Sequence, residues 1–197
     1  GDIVHAMIVL QFIKKFNNEI LIDWIVDEGF IELLDPHPQI NNIHVVNLKK
    51  AKKDKSVSTL FKEFKKIRQL DSYDLVIDMQ GLVKSAIISK LIPSKKVVGF
   101  DKFSNRELLA SVFYNKTFFC SYNKNVIERN IELVEFALGL RVSKKQILNK
   151  LPIIYFKEKI LNSYLSKTKK NILLVPGASY SSKCDPVKKI AKLSSLV

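Results

Sequence analysis

The 197 residues include 47% apolar side chains at a mean hydropathy near zero, enough to bury a core of ordinary size, which excludes a disordered chain. Thirty-three basic against nineteen acidic residues give +14, a balance that suits nucleic acid, an anionic membrane surface or a phosphorylated substrate. No apolar run reaches the roughly 18 residues that span a bilayer, the cytoplasm is the default compartment, and Cys120 and Cys184 fit neither a disulfide framework nor a metal-ligand spacing, so both read as reduced and structural.

Ile3, Val4, Met7, Leu10, Ile13 and Phe16 recur at helical spacing and predict a helix opened by Gly1-Asp2, with Asp2 placed to cap its first turn. Short β-branched segments at 20–26 and 43–46 read as strands on either side of the turn-rich Asp35-Pro36-His37-Pro38. Five lysines in seven residues at 49–55 lead into a helix over 57–70, striped by Leu60, Phe61, Phe64, Ile67 and Leu70. A strand at 75–78 follows, then a helix opened by Gln80-Gly81 and stopped by Pro93, a strand at 96–99, and helices near 106–114 and 124–140, the last ended by Gly139. This alternation means a mostly parallel sheet covered on both faces.

The pattern lapses over 143–152. A helix at 157–166 then precedes a strand at 172–176, a polar loop ending at Lys183, and a helix with Pro186 in its first turn. One βα unit cannot bury its own faces, so 151–197 reads as a linker and the start of a second domain. The first domain, 1–150, is expected to lack the strand that would normally come before Gly1.

Of the basic residues 29 are Lys and only four are Arg, and Asn and Ile are frequent too, so coding bias accounts for much of the charge. Arg68, Arg106, Arg129 and Arg141 gain weight by contrast, because a planar guanidinium grips carboxylate or phosphate at two points. Asp2 stands at a helix start where a preceding strand would end, the place where open α/β sheets bind ligands, and is either a general base or an N-cap. His5 lies three residues on, along the same helical face. Asp78, Gln80 and Lys84 would project near that crevice, or Asp78 and Gln80 would satisfy loop amides. Residues 177–183 offer backbone amides, the Ser179 hydroxyl and the Lys183 ammonium to a phosphate. The Walker ending, a Gly-x-Gly-x-x-Gly, an Asp-x-Asp pair and a His/Cys cluster are all missing from the sequence, so the chemistry is expected to use no metal and no nicotinamide.

Together GDIVHA at 1–6, DMQGLVKSA at 78–86, GFDKFSNRELLASVFYN at 99–115, ERNIELVEFALGL at 128–140 and PGASYSSK at 176–183 resemble the ADP-heptose:lipopolysaccharide heptosyltransferases, nearer their type I than type II. The resemblance implies a GT-B fold, two doubly wound Rossmann-like domains facing a cleft, of which this chain would hold the N-terminal one and the start of the next. It implies inverting, metal-independent transfer of L-glycero-D-manno-heptose from ADP-heptose to the Kdo sugar of the lipopolysaccharide inner core, at the cytoplasmic face of the inner membrane.

By that resemblance Asp2 matches the general base, Ser179 and Lys183 the donor side, and Arg106 and Arg129 the acceptor side, with Gln80 and Lys84 nearby and His5 and Asp78 in support. Cys184-Asp185-Pro186 departs from the aromatic that commonly comes before proline, putting an acid near the expected phosphate. Expected partners are ADP-heptose, a Kdo-lipid A acceptor and, through residues 49–55, the anionic membrane. No cofactor, protein partner or nucleic acid is expected. The alternatives are another inner-core heptosyltransferase and a non-catalytic basic module for nucleic acid or anionic lipid. The latter accounts for the charge but not for the motifs.

Overall fold

The computed structural model describes residues 1–35, 37–47, 56–155, 165–166, 168–172 and 186–194. It divides into two compact units, Gly1–Lys157 and Glu158–Val197. The predicted strand at 172–176 and helix at 157–166, the lysine run at 49–55, and Ser179, Lys183 and Cys184 lie wholly or largely outside the described residues.

In the first unit α1 (Asp2–Met7) and α2 (Val9–Phe16) take the place of the single helix expected, with Ile8 between them. β1 (Asp23–Asp27) runs into a 3₁₀ turn, Glu28–Leu33, whose start is held by the Asp27 carboxylate accepting from the Gly29 amide. β2 (Asn42–Val46) pairs with β1 in parallel register, Asp23 opposite Asn42 through Asp27 opposite Val46. Ser56 caps α3 (Val57–Arg68) by accepting from the Thr59 amide. Then come β3 (Val76–Asp78), α4 (Val83–Leu91) and β4 (Val97–Phe100). A second 3₁₀ segment, Leu108–Phe113, occupies the region predicted as an α-helix over 106–114. β5 (Lys116–Phe118), α5 (Val126–Leu138) and α6 (Lys144–Leu148) complete the unit.

Among the described residues all strand pairings are parallel, and the strands form two ladders, β1-β2 and β3-β4-β5. Successive strand residues point to opposite faces, and the packing follows that rule. Trp24 and Val26 of β1 join Met7, Leu10, Ile131 and Val134 of α1, α2 and α5, while Ile25 between them joins Ile67 of α3 and Ile88 of α4. In β3, Ile77 goes to the α1, α2 and α5 side and Val76 to the α3 and α4 side. Helices therefore cover both faces, as in a doubly wound fold. β4 is buried throughout, which is why it reads as an unbroken apolar run.

The apolar stripes were only partly core. Met7, Leu10 and Ile13 are buried but Phe16 is exposed, and in α3 Ile67 is buried while Phe61 is 69% exposed. β5 and α6 were not foreseen: β5 is three residues long, and α6 follows a Ser143/Gln146 capping box inside the supposed lapse. Gly139 ends α5 in the left-handed region, as expected.

In the second unit the described residues show α7 (Val187–Ser194), with the Lys189 amide donating to the Pro186 carbonyl at its start. They also show a turn in which the Ser166 hydroxyl accepts from the Lys169 amide and the Asn171 side chain bonds back to Ser166.

Candidate active site

β3 ends at Asp78, and its carboxylate is turned inward. It is 4% exposed, accepts from the Gln80 amide at 2.8 Å, and takes the Tyr114 hydroxyl at 2.9 Å. Burial raises the Asp78 carboxyl above the usual carboxylate range, against the bonds from Ser85, Gln80, Tyr114 and Gly81 that pull it down. Burial, then the Asp78 charge, pushes the Tyr114 hydroxyl well above its ordinary value. The Tyr114 ring has room because β4 carries Gly99 beneath it: a Cβ built at Gly99 would stand 2.3 Å from the ring. Gln80 and Lys84 are exposed, on the loop after β3 and in the first turn of α4. The Val83 amide at the start of α4 is met by Glu107 Oε2 at 2.6 Å.

β4 leads into a loop that its own side chains hold in place. Asp101 Oδ1 accepts from the Phe103 amide, the Ser104 amide and the Ser104 hydroxyl at 3.1, 2.9 and 2.6 Å. The Ser104 hydroxyl in turn accepts from the Cys120 amide at 2.8 Å, and Asn105 Nδ2 donates to the Phe100 carbonyl at 2.9 Å. The Glu107 amide donates to the Gly81 carbonyl at 3.1 Å, which joins this loop to the one after β3. Gly81 has φ +65, and a Cβ there would lie 2.5 Å from Asn105 Oδ1. These bonds hold the backbone on both sides of Arg106.

Arg106 Nη1 donates to Asp2 Oδ2 at 2.9 Å, across 104 residues of sequence. The two side chains are 50% and 58% exposed, so the pair faces solvent. The Asp2 carboxylate, followed by a hydrogen bond with Tyr122, holds the Arg106 guanidinium above its ordinary value. An exposed pair of this kind adds only about 0–1 kcal/mol to stability. The Asp2 side chain makes no capping bond, and Gly1 occupies the N-cap, so the capping reading is corrected. His5 is half-buried on α1, its amide bonded to the Gly1 carbonyl.

Arg129 reaches the same loop from α5. Its guanidinium lies 4.4 Å from the Tyr122 ring and 4.9 Å from the Phe100 ring, and Nη2 donates to the Ser104 carbonyl. The structure thus brings Asp2 and Arg106 into contact, sets Arg129 against the loop that carries Arg106, and buries Asp78 at the end of β3. Tyr114, Tyr122, Ser104, Asn105 and Glu107 were not singled out by sequence. Their positions inside or just beyond the 99–115 motif were the available signal.

Cys120 is buried, its thiol 3.2 Å from Glu132 Oε2, and burial pushes it up to about 11, which fits an unreactive structural thiol. Among the described residues no three His, Cys, Asp or Glu gather where they could hold a metal ion, and no helix is long and apolar enough to cross a membrane. Two concavities, one lined by Gln11, Lys14, Gln39 and Lys145 and one by Leu34, Ile40 and Asn42, include neither Asp2 nor Arg106.

Residues 60–197 match the model of glycosyltransferase family 9 (heptosyltransferase). The chain is similar to lipopolysaccharide heptosyltransferase 1 of Campylobacter coli, 39% identical over 202 residues that cover all of this chain and 57% of that protein. It is also similar to lipopolysaccharide heptosyltransferase 1 of Escherichia coli K12, 33% identical over 74% of this chain and 46% of that one. Among solved structures it resembles the E. coli heptosyltransferase WaaC with ADP-2-deoxy-2-fluoro heptose, at a TM-score of 0.67 and 31% identity, over 73% of this chain and 46% of that one. The chain spans about half the length of these relatives.

Proposed function

The chain belongs to glycosyltransferase family 9, the heptosyltransferases, and from that membership we propose that it supplies the acceptor side and part of the donor side of an ADP-heptose-dependent transferase of the lipopolysaccharide inner core. Its fold class is GT-B, and it is part of a glycosyltransferase.

The acceptor we assign is the inner-core Kdo sugar attached to lipid A, the reaction inverting and metal-independent. Asp2 takes the proton of the acceptor hydroxyl as that oxygen bonds the anomeric carbon of the heptose. The bond from that carbon to the diphosphate breaks on the opposite face, and ADP leaves. The observation that carries this reading is the exposed Asp2 carboxylate bonded to Arg106. Arg106 follows the end of β4, beside the loop that follows β3, so Asp2 stands at the carboxyl edge of the strands, where open α/β sheets place their chemistry.

Ser179 and Lys183 are assigned to the donor diphosphate from their sequence match, with Glu158–Val197 as the opening of the donor domain. The lysines at 49–55 are assigned to peripheral contact with the anionic membrane that carries the acceptor, each Lys worth about 1 kcal/mol there.

In the full-length enzyme Asp2→Asn should leave ADP-heptose binding intact and lower turnover by about 10²- to 10⁴-fold, the usual worth of a positioned base. Measured as ADP release with a Kdo-lipid A acceptor, near-normal turnover would remove Asp2 from the chemistry. Lys183→Ala should weaken donor binding or slow ADP departure.

A further inference from the structure

The carboxylate read as general base is engaged: Arg106 Nη1 donates to Asp2 Oδ2 at 2.9 Å, so a cation holds one of its two oxygens and fixes where the carboxylate points. Two features of that contact matter. It is one donor on one oxygen, not the forked two-bond pairing that makes Arg-carboxylate contacts strong. It is also half exposed on both sides, where such pairs are weak and exchange readily. The backbone on either side of Arg106 is held, through the Asn105 bond to the Phe100 carbonyl and the Glu107 bonds to Gly81 and Val83. The guanidinium can therefore turn from one carboxylate to another without leaving the site.

We propose that Arg106 is a carboxylate-exchange latch: it holds the Asp2 carboxylate turned toward itself, and an acceptor sugar that carries both a carboxylate and the nucleophilic hydroxyl takes the guanidinium over and releases Asp2 toward that hydroxyl. This rests on the reading of Asp2 as base. It adds that one residue both recognises the acidic sugar and keeps the base turned aside until that sugar is seated. A neutral sugar of similar shape would leave the latch closed, so selectivity for an acidic acceptor would be expressed in base availability as well as in affinity. Arg106 becomes a positioning residue for Asp2 in addition to an acceptor contact.

The test is a binding cycle on the full-length protein, by calorimetry, with the methyl glycoside of Kdo and its carboxamide as probes. The proteins are wild type, Asp2→Asn, Arg106→Gln and the double variant. Both positions are exposed, and thermal melts would verify the folds. Removing the competing carboxylate should tighten binding of the acidic glycoside by roughly two- to fivefold, the equivalent of an exposed pair. That gain should vanish for the carboxamide and in the Arg106→Gln background. A gain that persists without Arg106 would mean only that Asp2 repels anions, and it would overturn the latch. No gain, or equal binding by wild type and Arg106→Gln, would overturn it too. Turnover of Asp2→Asn, measured in parallel, decides the base assignment separately, because the cycle reads binding alone.

Discussion

The Tyr73 hydroxyl donates to Asp23 Oδ2 at 2.7 Å, tying the chain just before β3 to the first residue of β1, although the sheets holding these strands share no ladder. His44 Nε2 lies 3.1 Å from the same oxygen and 2.8 Å from the Tyr73 hydroxyl, and Asn42 donates to Asp23 Oδ1. The cluster gathers at the first residues of β1 and β2, the edge opposite the candidate site, so its role is to hold the two ladders together.

The Asp23 carboxyl is raised by burial but pulled down further by Tyr73, His44 and Asn42, leaving it below its ordinary value. A depressed acid contributes stability that is present above its unfolded value, about 3.9, and lost as pH falls through the folded one. Asp23→Asn should therefore cost about 1–2 kcal/mol near neutrality. In urea titrations the gap from wild type should close below about pH 4.

Tyr114→Phe tests the buried carboxylate at the end of β3. The Asp78 carboxyl is already raised by burial, so its ionised form costs stability as pH climbs from the unfolded value toward the folded one. Taking away the Tyr114 donor raises it further. The variant should lose about 1–3 kcal/mol at neutral pH, with the deficit shrinking in acid. Denaturant midpoints measured from about pH 4 to 8 would show the slope.

Arg129→Lys keeps the charge but loses the planar group stacked on Tyr122 and Phe100 and its bond to the Ser104 carbonyl. A loss of about 1–2 kcal/mol is expected. Hydrogen exchange should quicken at the amides of Phe103 and Ser104, which bond Asp101. Unchanged exchange there would mean that the loop stands without Arg129.

Gly81→Ala should be worse than an ordinary surface change, because it forces a side chain to φ +65 and against Asn105 Oδ1. The expected cost is about 1–3 kcal/mol, read as a lower Tm. Because Gly81 holds Glu107 through its carbonyl, acceptor binding should weaken as well.

The repeating strands and helices were legible because each follows a local period: Val76 and Ile77 alternate faces, and Gly139 stops a helix that its neighbours begin. The 3₁₀ segment at Leu108–Phe113 was misread because apolar residues at helical spacing do not distinguish a tight helix from an α-helix. Within the site, residue types at strand ends marked Asp2, Asp78 and Arg106. What each touches was not legible. Asp2 meets Arg106 over 104 residues and Asp78 meets Tyr114 over 36, and no local pattern reports such pairings. The same holds for Arg129, whose planar group was expected at the acceptor and whose contacts are two rings and a carbonyl.

Gly99 has no polar side chain and touches no substrate in any role assigned here, yet the Tyr114 ring rests where its Cβ would be. Even a methyl group at position 99 would have to push the ring aside, and with it the hydroxyl that donates to Asp78. The smallest possible replacement on a central strand would thus act as an electrostatic lesion. A substitution scan judged by polarity would rate position 99 as silent filler, when it governs whether a buried carboxylate keeps its donor.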